Sequence, residues 1–148
     1  MRPRIRYCAT PAGRVAYSTS GAGPALLCDT GWITDLRGQL ELFSFGSFMA
    51  GLAERFTVIR YDKPGSGLSD REGVDLSFDG QVAAALAVAD AVGADRFRLF
   101  GASQGGQLAA TTDSRTSAGN RSLPLAHVPY STRASARSGS FAAIVAAS

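Results

Sequence analysis

The sequence predicts an α/β protein: a mostly parallel sheet with flanking helices, followed by an irregular C-terminal tail. Three observations carry this. Short apolar strand-like runs alternate with helix-like stretches up to about residue 110, the pattern of strands joined by helical crossovers. The run Ala25-Leu26-Leu27-Cys28 is apolar throughout, as in a strand covered on both faces. Beyond Ala110 neither a helical nor a strand period survives. The chain therefore divides into residues 1–110, one packed domain, and 111–148, a basic tail that is either a disordered extension or the product of a shifted reading frame.

The elements follow in order. Residues 4–8 and 14–18 read as two strands around the turn Pro11-Ala12-Gly13, and 25–28 as the buried strand after the turn Gly21-Ala22-Gly23-Pro24. Residues 41–55 read as one helix with Leu42, Phe45, Phe48, Met49 and Leu52 on its apolar side; Gly46 and Gly51 weaken it. Phe56-Thr57-Val58-Ile59-Arg60-Tyr61 is a strand by composition. Residues 77–92 form a helix, with Ser77 as N-cap and Gly93 as stop. Phe97-Arg98-Leu99-Phe100 is the last strand, and a helix begins at Gly105.

Composition bounds the function. Of 148 residues, 45% are hydrophobic and 18% charged, an ordinary globular balance. All 12 acidic residues precede residue 114, and four of the 15 basic ones (Arg115, Arg121, Arg133 and Arg137) follow it, so the net charge of +3 belongs to the tail. Those arginines are too scattered for a nucleic-acid footprint, and no nucleic-acid partner is expected. No apolar run is long enough to span a bilayer, and no apolar signal core follows the basic start Met1-Arg2-Pro3-Arg4-Ile5-Arg6. A cytoplasmic protein without membrane contact is the expectation. Cys8 and Cys28 lack metal-ligand spacing and read as reduced, small hydrophobic residues. Gly65 and Gly67 make no phosphate cradle, since no Lys-Ser/Thr follows and no G-x-G-x-x-G occurs; neither a cofactor nor a metal is expected.

One motif carries chemistry. Gly101-Ala102-Ser103-Gln104-Gly105 fits G-x-S-x-G, with an apolar strand before it and a helix start after it. A serine on such a sharp strand-to-helix turn has its hydroxyl lifted above the sheet, and Gly101 and Gly105 leave no side chain where strand and helix pass. The helix N-terminus adds positive potential where an oxyanion develops, and the Gln104 N–H is one donor to it.

The order of elements, this turn, and the loop Asp62-Lys63-Pro64-Gly65-Ser66-Gly67-Leu68-Ser69 resemble the N-terminal half of the α/β-hydrolase superfamily. The loop matches that family's D-x-x-G-x-G-x-S pattern after its fourth strand. Thr30-Gly31-Trp32 stands where the family usually has His-Gly-X, and the opening segment through Val15-Ala16-Tyr17 resembles hydrolase domains attached to bacterial transcription regulators. The resemblance implies that Ser103 is the nucleophile of a serine hydrolase acting on an ester, thioester or lactone, and that the Trp32 N–H is the second oxyanion donor.

A serine needs a base, and the base an orienting acid. In this family the chain order is Ser, then Asp or Glu, then His. Downstream of Ser103 stand only Asp113 and His127. A helix from the turn carries Asp113 away at about 1.5 Å per residue, and His127 falls in the irregular tail. The expectation is a truncated, inactive or nearly inactive hydrolase acting on small carbonyl substrates only when completed. The alternative is a non-catalytic ligand-sensing or partner-binding module on the same scaffold. Asp29 reads as a strand-end acceptor, and Asp62 as the residue that pins the glycine-rich loop. Without a sixth strand, residues 97–100 are expected to form an exposed apolar edge through which copies self-associate.

Overall fold

The computed structural model describes residues 4–31, 34–102, 105–108 and 112. Strands β1 (Arg6–Thr10), β2 (Gly13–Ser20), β3 (Ala25–Asp29), β4 (Thr57–Tyr61) and β5 (Arg98–Gly101) form one sheet in the order β1-β2-β4-β3-β5. The first two pairings, β1 with β2 and β2 with β4, are antiparallel; β3 runs parallel to both β4 and β5. The predicted α/β class holds, as a mixed sheet that is parallel where its apolar strands lie.

Alternation along these strands builds two cores. Leu26 and Cys28 of β3, Val58 of β4 and Phe100 of β5 face one side and pack with Phe45, Met49 and Leu52 of helix α1 (Phe43–Ala53). Leu27, Ile59 and Leu99 face the other and pack with Ala84, Ala85, Val88 and Ala89 of helix α2 (Phe78–Val92). Strands β3, β4 and β5 are thus buried on both faces, which their apolar central residues require.

Helix α2 begins where the sequence places it. The Ser77 hydroxyl accepts the Gly80 amide at 3.1 Å, and Asp79 stands in the first turn, complementing the helix dipole. Gly93 ends the helix in the left-handed conformation at φ +77°, returning its amide to Ala89 and Asp90.

Two expectations are corrected. The single helix over 41–55 is a 3-10 turn (Gly38–Glu41) followed by α1, separated by Leu42 in extended conformation at φ −72°, ψ 110°. The break follows from tertiary contacts: Arg60 of β4 holds the Gln39 side chain at 2.9 Å, drawing the turn onto the sheet end. The first hairpin is displaced from 4–8 and 14–18 to Arg6–Thr10 and Gly13–Ser20, with Thr10 paired to Gly13 around a two-residue turn. Among the described residues β5 ends the sheet, as the sequence leads one to expect, while the side chains of Phe97, Leu99 and Phe100 are each at most 4% accessible, divided between the two cores. No helix among the described residues is long and apolar enough to cross a membrane.

Candidate active site

Three loops leave the carboxyl ends of β3, β4 and β5 at the same edge of the sheet, where ligands bind in folds of this kind. Each loop is held by a different set of bonds, and each holds another.

The turn after β5 is bracketed by its two glycines. A Cβ on Gly101 would stand 2.5 Å from the Gly105 carbonyl oxygen and 2.7 Å from the Gly106 α-carbon. A Cβ on Gly105 would overlap the Asp29 carbonyl and lie 2.5 Å from Asp29 Oδ1. Strand and following helix therefore approach closer than any side chain allows at these two positions, the requirement read from the motif. The Gly105 amide closes the turn on the Ala102 carbonyl at 3.0 Å, and helical backbone follows at 105–108. Ser103 and Gln104 lie outside the described residues, as do Trp32, Asp113 and His127.

The turn after β3 passes through Gly31 at φ +130°, with nothing within 4 Å of a Cβ built there. Backbone conformation alone demands glycine at this position. Thr30 donates its hydroxyl to Gln39 Oε1 at 3.4 Å.

The loop after β4 is the buttress. The buried Asp62 carboxylate accepts the Leu36 amide through Oδ1 and the Leu68 amide through Oδ2, both at 2.8 Å. Burial pushes this carboxyl above the usual carboxylate range, against the two amides, which pull it down. Ser69 donates to the Asp62 carbonyl at 2.6 Å and accepts the Ala16 amide at 2.9 Å, tying the loop to β2. Thr34 accepts the Lys63 amide at 2.7 Å and shares a 3.1 Å bond with the Ser66 hydroxyl. Asp62 thus pins the glycine-rich loop, as the sequence indicates.

Beneath the edge lie buried charges, of which the sequence assigned a role to Asp29 but none to Lys63 or Arg60. Lys63 Nζ pairs with Asp29 Oδ1 at 2.8 Å, both side chains almost fully buried, and the Tyr61 hydroxyl donates to Asp29 Oδ2 at 2.8 Å. Burial first, then the Asp29 charge, hold the Tyr61 phenol well above its ordinary range. Asp29 is the strand-end acceptor expected, through both backbone and side chain: its carbonyl also receives the Ala102 amide at 3.0 Å. On the opposite face, Arg60 is buried against the Phe45 ring and donates to the Leu36 carbonyl at 3.4 Å and to Gln39 at 2.9 Å. Burial lowers the Arg60 pKa. Asp29 closes β3 and Lys63 stands two positions past β4, so both charges were visible in the sequence, but with Arg60 inside β4 as well nothing local singled out which pair would form. Cys8 and Cys28 are both free thiols. Among the described residues, no group of three or more His, Cys, Asp or Glu side chains could hold a metal ion.

Comparison with known proteins agrees with this architecture. Residues 24–115 match the alpha/beta hydrolase fold family. No curated protein matches the chain. Among solved structures, a bacterial membrane phospholipase A described as a virulence factor is 27% identical with a TM-score of 0.66, covering 79% of this chain and 37% of its own. The meta-cleavage product hydrolase of Pseudomonas fluorescens is 23% identical with a TM-score of 0.67, covering 79% and 42%. Naproxen esterase from Bacillus subtilis is 20% identical with a TM-score of 0.65, covering 82% and 41%. The chain spans less than half the length of each of these structures.

Proposed function

Because the chain belongs to the alpha/beta hydrolase fold family, we propose that it is a serine hydrolase by descent, with Ser103 as the nucleophile toward an ester, thioester or lactone carbonyl. The observation that carries this reading is the double close approach at Gly101 and Gly105, the glycines on either side of Ser103 in the sequence, between β5 and the helical backbone at 105–108. The Ser103 hydroxyl would add to the carbonyl carbon while its proton passes to a base, and the carbonyl oxygen would take the charge, facing the Gln104 and Trp32 amides. A serine at this position argues against the aspartate-nucleophile chemistries of related folds. Downstream of Ser103 the sequence offers only Asp113, carried away by the helix after the turn, and His127 in the irregular tail, so the 148-residue chain is expected to hydrolyse weakly, at the level an oxyanion hole alone supplies. The substrate is a small carbonyl compound.

The test is hydrolysis of a p-nitrophenyl ester by the chain and by Ser103→Ala. A rate above background that Ser103→Ala abolishes supports the reading. Equal rates for the two proteins overturn it.

A further inference from the structure

The buried pair of Lys63 and Asp29 has no part in the reading above, yet it occupies a demanding position. Desolvating two charges is costly, and apolar residues of the same volume often serve a core as well. Here the pair sits directly under the turn. Asp29 stands opposite Gly101 in the β3–β5 register, receives the Ala102 amide on its carbonyl at 3.0 Å, and fills the space beside Gly105 with its carbonyl and Oδ1. The same Oδ1 faces the Gly31 amide at 3.5 Å. One carboxylate therefore touches both segments that flank the two amides assigned to the oxyanion, those after β3 and β5.

A negative charge in that place has two effects. It opposes any second negative charge that the proposed reaction develops on a substrate oxygen, and at a buried carboxylate little water screens it. It also orders both turns, provided that its oxygens are held. Lys63 Nζ at 2.8 Å answers both: it neutralises the carboxylate and fixes Oδ1, while Tyr61 fixes Oδ2. Resting on the assignment of Ser103, we infer that Lys63 is a positioning residue: its ammonium cancels the Asp29 charge beneath the nucleophile turn and holds the carboxylate between Gly31 and Gly105, so that an oxyanion can form above it.

The full chain is compared with Lys63→Met, Lys63→Arg and the double variant Asp29→Asn with Lys63→Met. Two readouts are taken well below the melting temperature: Ser103-dependent release of p-nitrophenol from p-nitrophenyl acetate, and amide hydrogen exchange resolved by residue. Lys63→Met should lower kcat at least tenfold with KM within twofold. It should also speed exchange at Ala102 and Gly31 at least tenfold, leaving Val88 and Ala89 of α2 within twofold. Lys63→Arg should restore both readouts, and the double variant should recover kcat to within threefold because the opposing charge is gone. Unchanged exchange at Ala102 and Gly31, an equal rise throughout α2, or a double variant no better than the single would overturn the inference. A wild type no faster than Ser103→Ala overturns the assignment of Ser103 instead, and the exchange pattern still decides the role of Lys63.

Discussion

The Asp62 carboxylate accepts the Leu36 amide at 2.8 Å and thereby ties the loop after β4 to the loop after β3, across 26 positions of sequence. Its second oxygen takes the Leu68 amide, so one side chain sets the relation of two of the three loops at the candidate site. Removing it leaves two inward-facing amides without a partner.

Asp62→Ala should therefore cost about 2–4 kcal/mol, the usual range for orphaned buried donors to a charged acceptor, measured by urea denaturation. The pH dependence has a definite sign. Burial raises the Asp62 pKa above its unfolded value, so its contribution is fully present below the unfolded pKa and declines as pH rises through the folded one. The stability difference between wild type and Asp62→Asn should shrink over that interval and be flat above it. A difference that grows with pH would contradict the assignment.

Glycine substitutions separate close packing from helix propensity. Gly105→Ala drives a Cβ into the Asp29 carbonyl and should destabilise by about 2–4 kcal/mol, as overpacking against backbone does. Gly51, exposed within α1 with nothing within 4 Å, should respond oppositely: Gly51→Ala should stabilise by up to about 1 kcal/mol. Thermal melts of the two variants should shift in opposite directions.

Ser77→Ala removes the hydroxyl that receives the Gly80 amide and should cost about 1 kcal/mol. Ser77→Asp retains an acceptor and adds charge at the helix N-terminus, so it should hold wild-type stability within about 0.5 kcal/mol. Chemical denaturation of both variants checks this.

The thiols should differ little in kind but clearly in rate. Burial pushes the Cys28 pKa up to about 12, leaving a thiolate fraction of about one in ten thousand at pH 8. Cys28 should be inert to Ellman's reagent in the native chain and react only on denaturation. Cys8, half-buried on β1, should react first, though slower than a free thiol because burial also raises its pKa.

Much of the fold was legible from residues alone, because each signal was local. A continuous apolar run such as Ala25-Leu26-Leu27-Cys28 must be covered on both faces, and Ser77 and Gly93 bound a helix through bonds within a few positions of themselves. The glycine spacing at 101 and 105 announced a close crossing, which the Asp29 contact explains. The split at Leu42 was hidden, since its cause, the grip of Arg60 on Gln39, spans 21 positions. The packing of Phe100 with Phe45, Met49 and Leu52 of α1 was hidden for the same reason, since those residues stand about fifty positions away.

Residue order by itself determined the alternation of strands and helices, the caps of α2, and a serine set between two glycines after an apolar strand. Only the tertiary structure decided that Asp29, Tyr61 and Lys63 form one buried polar cluster under that turn, and that Asp62 braces the loop before it. The physical reason is distance along the chain. Propensity and periodicity act over a few residues, whereas the partner of a buried charge is chosen by sheet register, and the β3–β4 register pairs Ala25 with Thr57 and Cys28 with Arg60 across a long stretch of chain.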